Sequence, residues 1–472
     1  MRRILIDDVL VSIIGICSPR GSAQTVSNSS SLDDVRLFGF DSDHLIQMIT
    51  RTVCVFGLTL CTALSTGAAQ NAAVTAGEAK AVETLAESPP VRAALDAVRA
   101  DEPQVVEDQI RFCEIPAPPF KEIARAQAIK SIFEQLGLSN VRLDKAGNVL
   151  GDRPGVAPRP HLVVAAHLDT VFPEGTDVRV KRNGVILTGP GIGDNCRGLA
   201  ALVATVRLLR RANIQTEGPV TFVADVGEEG LGDLRGVKQL FGDSMKGQID
   251  RFLSIDGAGL FLTNVAVGSR RYRVTFKGPG GHSFAAFGTA NPIQAMGRAI
   301  AKISQLQVPG QPKTTFNVGR VGGGTSINAI PAECWMEIDL RSSDPTALSS
   351  LDASVQNAVD AAVREENERW GSLRAITVVK ERVGDRPSGQ TAAGSPIVQT
   401  ARAAAQALGI SISPNESSTD ANVPIQLKIP AITVGAGGHG TGSHTPGETF
   451  DTTDAWRGTQ YAVLLTIALA RP

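Results

Sequence analysis

The stretch Val220-Thr221-Phe222-Val223-Ala224-Asp225-Val226-Gly227-Glu228-Glu229 runs an apolar segment straight into a pair of carboxylates. A short apolar run closed by glycine reads as a buried strand of a parallel sheet. Open sheets of that kind bind ligands just beyond the carboxyl ends of their strands. Two adjacent carboxylates at such an end repel each other unless a cation lies between them or one keeps its proton. The layout recurs along the chain. Leu162-Val163-Val164-Ala165-Ala166 leads to His167-Leu168-Asp169, Phe252-Leu253-Ser254-Ile255 leads to Asp256, and Ala431-Ile432-Thr433-Val434 leads to a glycine-rich stretch carrying His444. Strand ends bearing His, Asp and Glu together imply a metal site.

Around these strands, residues 76–263 alternate helical and strand patterns. Ile123, Ile129, Ile132, Phe133 and Leu136 keep helical spacing, as do Leu199, Leu202, Val203, Val206 and Leu209. Strand and helix in alternation predict an α/β fold, a mostly parallel sheet flanked by helices. The pattern changes over residues 264–382. A half-exposed strand at 271–277 precedes an amphipathic helix at 292–306, strands at 314–320 and 334–341, a helix at 347–370 and a strand at 373–380. That order, β-α-β-β-α-β, predicts an inserted ferredoxin-like unit large enough to fold as its own lobe. The alternation of 271–277 is read as an outer strand, open to pairing with a copy of itself. Residues 383–472 return to the α/β pattern.

The chain has 472 residues and a formal charge of −1, and it lacks a long basic run, so nucleic-acid binding has no support. The front reads separately. Met48-Ile49-Thr50-Arg51, an apolar stretch over 53–64 and Gly67-Ala68-Ala69-Gln70 have the layout of a secretory signal cut near Ala69. Residues 1–69 are thus expected to be an upstream extension plus a signal peptide starting at Met48, and the protein to be exported, periplasmic or secreted. A membrane anchor or an ordinary buried helix is the other reading of the apolar stretch, which is short for a bilayer span. No stable membrane span is expected in the mature chain. Cys17, Cys54 and Cys61 would leave with the leader. Cys113, Cys196 and Cys334 are then expected to be free and buried, since they have neither disulfide-framework nor zinc-finger spacing.

Zinc takes imidazole nitrogen and carboxylate oxygen, and a catalytic site keeps a position open. The candidate ligands are His167, Asp194, Glu229, Asp256 and His444. Asp194 follows the loop Gly189-Pro190-Gly191-Ile192-Gly193, which can press its carboxylate into the cleft between two ions. Asp169 is placed to accept the imidazole N–H of His167. Each residue has an ordinary reading by itself: a satisfied histidine for His167, a helix N-cap for Asp194, a turn start for Asp256. Their joint order carries the argument. Neither Gly189–Gly193 nor Gly322-Gly323-Gly324 has the spacing of a dinucleotide or P-loop motif.

His167-Leu168-Asp169, Gly-Pro-Gly-Ile-Gly-Asp194-Asn-Cys-Arg-Gly, Glu228-Glu229-Gly, Asp256-Gly and His444-Thr-Pro-Gly-Glu448, in that order, resemble the dinuclear zinc exopeptidases. That family includes carboxypeptidase G, peptidase T, the aminoacylases and succinyl-diaminopimelate desuccinylase, and the likeness covers roughly residues 80–472. It implies that Asp194 bridges two zinc ions per chain, with Co2+ or Mn2+ as substitutes. It implies further that His167 and Asp256 complete one shell, that Glu229 and His444 complete the other, and that Glu228 is the general base. The inserted lobe would be the dimerisation or lid domain of a homodimer. His282, in Gly278-Pro279-Gly280-Gly281-His282-Ser283, would reach an active site to hold the oxyanion, while Asn328 and Arg341 would contact substrate. Cys196 stands where many members have Lys; a thiol so placed could in principle compete for a soft metal, but the five expected ligands are all present without it. The expected substrates are short peptides or N-acyl amino acids. Ser417-Ser418-Thr419-Asp420-Ala421-Asn422 and Gly437-Gly438-His439-Gly440 look more like the peptidase T branch, favouring di- and tripeptides. The alternatives are a carboxypeptidase, a deacylase, or an inactive relative that only binds peptides.

Overall fold

The computed structural model describes residues 73–371 and 375–472. The leader expectation over 1–69 lies outside these residues. The main sheet runs in the order Ser139–Leu143, Val149–Arg153, Val220–Asp225, Leu162–His167, Arg251–Ile255, Ala431–Val434, Phe261–Ala266 and Gly389–Gln390, and Ser413–Ser417 also pairs with Phe261–Ala266. Its four central strands, Val220–Asp225 through Ala431–Val434, are mutually parallel. Both faces are covered, which is why these strands read as unbroken apolar runs. Leu162, Val164, Phe222 and Ala224 meet the helices Pro89–Cys113, Cys196–Arg211 and Trp456–Leu469 in one core. Val163, Ala165, Val223 and Phe252 belong to a second core with Leu234, Val237, Phe241 and Val423. Side chains alternate faces along a strand, so His167 and Asp225, paired in register, continue the second face.

The lobe is a four-stranded antiparallel sheet in the order Thr314–Gly323, Glu333–Ser342, Gly268–Lys277, Thr377–Arg386. Helices Pro292–Ser304 and Pro345–Arg369 pack on it. Tyr272, Val274, Phe276, Met336, Ile338 and Leu340 from the sheet meet Ala295, Ala299, Leu351, Val355 and Val359 in a core of their own. This is the expected β-α-β-β-α-β order with one correction. The strand read as outer lies inside the sheet, hydrogen-bonded on both sides, and the edges are Thr314–Gly323 and Thr377–Arg386. Alternation reports that one face is buried, and central and edge strands share that property. The boundaries also shift. Phe261–Ala266 belongs to the main sheet, and the lobe's fourth strand runs on to Arg386.

A small sheet, in the order His439–Thr441, Thr449–Asp451, Ile186–Thr188, Lys181–Asn183, was not legible in the sequence. Its strands are three residues long, too short for periodicity to register. It joins the hairpin carrying His444 to the strand that enters the glycine loop before Asp194. Among the described residues no helix is long and apolar enough to cross a membrane. Cys113, Cys196 and Cys334 are free and buried.

Candidate metal centre

His167 ends its strand on the second face, and Glu228 and Glu229 follow the turn after Val220–Asp225. Asp169 fixes that turn. Its Oδ1 accepts the N–H of Glu228 at 3.0 Å and its Oδ2 the N–H of Glu229 at 2.8 Å. His167 Nδ1 stands 3.1 Å from the carbonyl oxygen of Asp169 and 3.6 Å from its Oδ1, which turns Nε2 toward the cleft. Burial pushes the Asp169 carboxyl up, but the His167 contact and these N–H donors outweigh it and hold it below the usual range.

Asp194 comes from the glycine loop. The helix after it, Cys196–Arg211, is capped by Asn195, whose side chain accepts the Gly198 N–H at 3.0 Å. The capping role considered for Asp194 therefore falls to its neighbour, and its carboxylate is free to point into the cleft. Oδ1 lies 3.1 Å from His167 Nε2 and Oδ2 lies 3.3 Å from His444 Nε2. Asp256 Oδ1 is 3.4 Å from His167 Nε2, and Glu229 Oε1 is 3.0 Å from His444 Nε2. The donors thus fall into two sets, His167–Asp194–Asp256 and Asp194–Glu229–His444, each within 4.8 Å, with Asp194 common to both. A third set joins His167 to Glu228 and Glu229.

These residues fit a pair of divalent cations. Carboxylates of Asp169, Asp194, Asp256, Glu228 and Glu229 converge on a cleft where, among the described residues, the buried Arg386 pairs with Glu228. Both imidazoles are drawn toward protonation by that excess. His444 is raised to about 10 by its hydrogen bonds to Asp194 and Glu229. Burial alone would lower His167, yet Asp169, Asp194 and Asp256 lift it well above its ordinary value. Cations at the two donor sets would supply the positive charge these ring protons supply otherwise. The donors are nitrogen and oxygen, which suit zinc, cobalt or manganese. Cys196 joins none of the sets among the described residues. It is buried beneath the loop with Cys113, Ile192 and Phe450, which removes it as a competing ligand.

Glu228 is buried at the cleft floor. Burial raises its carboxyl to about 8, opposed by the Arg386 charge and reinforced by Glu229 and Asp256. Beside it opens a pocket of about 390 Å³, walled by Arg271, Arg341, Arg386, Ser417, Ser418 and Phe261 among others. Arg341 therefore lines the pocket beside Glu228, with its Nε donating to Asp339 at 2.7 Å. His282 and Asn328 do not line this pocket. They lie side by side on the lobe's exposed surface, where His282 pairs with Ala329 and Ser283 N donates to Asn328 O at 2.9 Å.

Residues beyond the sequence reading complete the centre. Glu448 accepts the N–H groups of Gly191, Gly193 and Asp194 at 3.0, 2.8 and 3.0 Å, fastening the glycine loop to the His444 hairpin. Asp225 and Asp420 face each other at the base of the site, with none of their carboxylate oxygens meeting a donor from the rest of the described protein. The motif His444-Thr-Pro-Gly-Glu448 held a signal for Glu448. Arg386 had none, because its partner Glu228 is 158 residues away.

Residues 163–467 match the model of peptidase family M20/M25/M40, and the chain belongs to that family. It is a hydrolase of that family. The chain is 26% identical over 353 residues to the uncharacterised protein YqjE of Bacillus subtilis, covering 71% of this chain and 91% of that one. It is 27% identical over 252 residues to a succinyl-diaminopimelate desuccinylase of Leptothrix cholodnii, covering 50% of this chain and 65% of that enzyme. The fold matches the crystal structure of aminopeptidase PepT from Bacillus cereus at a TM-score of 0.63 and 22% identity, over 78% of this chain and 99% of that one.

Proposed function

We propose that this protein is an exported zinc exopeptidase that cleaves di- and tripeptides, with Glu228 as general base and His167, Asp194, Glu229, Asp256 and His444 as ligands of two ions. The observation that carries the reading is the pair of donor sets sharing Asp194 beside the buried Glu228. When bound, the ions would polarise the scissile carbonyl and acidify a water. Glu228 takes the proton of that water and returns it to the leaving amine. Arg341 grips a free carboxylate of the substrate. Arg271 and Arg341 share one counter-charge, Asp339, at 3.0 and 2.7 Å, so this wall keeps a net positive charge for a single carboxylate. A guanidinium fork suits that group.

The pocket volume, at the small end of ligand sites, favours short substrates over long chains. The likeness to PepT leans the same way, whereas the desuccinylase relative supports a second reading, deacylation of N-acyl amino acids. The test is turnover of a mixed library of di- and tripeptides and N-acyl amino acids by the zinc-loaded protein. Cleavage confined to acyl amino acids would replace the peptidase reading with the second, and no cleavage of either would leave a peptide-binding relative. The export reading rests on the sequence over 48–70, and N-terminal sequencing of the secreted form should start near Gln70.

The lobe supports a homodimer. His282 is exposed and away from its own pocket, next to the exposed Phe284, Phe287 and Ile327, which are 88, 80 and 103% accessible. Apolar groups so displayed mark an association surface, and a second copy seated there is the route by which His282 and Asn328 would reach a pocket.

A further inference from the structure

We infer that Arg386, the last residue of the lobe's fourth strand, is the positioning residue that aims the general base. The inference rests on Glu228 being that base. Arg386 is 4% exposed and so is Glu228. Nη1 of Arg386 donates to Glu228 Oε1 at 3.1 Å and to Ser418 Oγ at 3.1 Å, and Nη2 donates to the carbonyl oxygen of Glu228 itself. One guanidinium therefore holds both the side chain and the main chain of the same residue. Such a fork fixes the carboxylate's torsions, where a single contact would let it swing. Oε2 of Glu228 carries no hydrogen bond among the described residues. It is the oxygen left to receive a proton.

The grip is part of a larger attachment. Asp385 N donates to Asp233 Oδ1 at 2.9 Å, Lys238 Nζ donates to Asp385 O at 3.0 Å, and Arg271 Nη1 donates to Gly230 O at 2.6 Å. Each bond ties a lobe strand to the short helical segment that follows Glu228 and Glu229. Arg386 is the member of this set that reaches the reacting group. Its role differs from that of Arg341, which is half-exposed and, among the described residues, bonded through its side chain at Nε alone. The Nη groups of Arg386 are already engaged, so it is not the residue that holds a substrate carboxylate.

This division of labour separates the two arginines kinetically. Misplacing a reacting group by an ångström costs on the order of a hundredfold in rate. In the full-length zinc-loaded protein, Arg386→Ala should lower kcat about 30- to 100-fold with KM within about twofold, zinc content unchanged, and added guanidinium ion should restore at least about tenfold of it. Arg386→Lys keeps the charge and loses the fork. It should lower kcat about tenfold with the same flat KM, and it carries the test if the alanine variant does not fold. The thermal midpoint of the metal-free protein gives a second readout: Arg386→Ala should lower it less in a Glu228→Gln background than in the native one, because the amide keeps an acceptor oxygen but removes the charge that the guanidinium meets. A kcat within twofold of the native value in both variants, or a KM raised tenfold with kcat intact, overturns the inference. Glu228→Gln measured alongside keeps the two readings apart. If that variant turns over substrate normally, the base assignment itself fails; if it is dead while the Arg386 variants are fast, only the positioning role fails.

Discussion

Asp194 is the residue on which the centre depends, because each of its oxygens faces a different histidine. Asp194→Ala should strip both metals, whereas His444→Ala should weaken mainly one. Metal analysis of the purified variants checks this, and full occupancy in Asp194→Ala would remove the bridging assignment. The donor groups that converge here were legible in the sequence because they follow apolar runs or glycine-rich stretches. Residues that act through distant partners were not. Asp225 stands unremarked inside an apolar run and Asp420 inside a motif that reads only as a likeness to one branch, yet they form a buried pair facing His167 and Asp169. Burial raises Asp225 to about 6 and, with the Asp225 charge, lifts Asp420 well above its usual range. The native pair therefore keeps a proton that the unfolded chain releases. The contribution of Asp225 is complete below its unfolded pKa and is lost as pH rises through about 6, whereas that of Asp420 is lost at higher pH. Asp225→Asn should accordingly gain on the order of 2 to 3 kcal/mol relative to the native protein at pH 8 and nothing at about pH 3. Thermal melts of the metal-free protein at the two pH values measure it, and a gain that is equal at both would rule out the shared proton.

At the scale of elements, strand ends deliver His167, Glu228, Glu229 and Asp256, and a hairpin delivers His444. The strand ends could be read because four parallel strands buried on both faces leave long apolar signatures. The hairpin's path to Asp194 could not, because it runs through three-residue strands and through Glu448. Glu448→Gln retains one acceptor oxygen where the carboxylate offers two to three N–H groups. It should loosen the glycine loop and weaken metal binding about 10- to 100-fold, the usual cost of losing a ligand's support. Competition with a chelator reports the affinity, and an unchanged value would make Glu448 a bystander. The lobe gives the opposite lesson. Its order of strands and helices was legible from alternation, but which strand lay at the edge was not, since pairing partners leave no mark in a single strand's pattern.

For the whole molecule, the question is whether one chain carries a complete site. If His282 acts across a dimer, mixing inactive His282→Ala with inactive Glu228→Gln subunits should restore partial activity, because one composite site then holds both native residues. A mixture that stays dead, or a fully active monomer by light scattering, would confine His282 to its own chain.

The clasp between Glu448 and the glycine loop joins residues 254 positions apart. Ribosomes release chains from the amino end, so His167, Asp194, Glu229 and Asp256 emerge well before His444 and Glu448. A nascent chain therefore holds an unfinished cage, with Asp194 unfastened and one donor set lacking its histidine. A complete pair of donor sets in this way waits until the His444 segment has emerged, and a protein that crosses a membrane unfolded would acquire its ions from the compartment in which it folds.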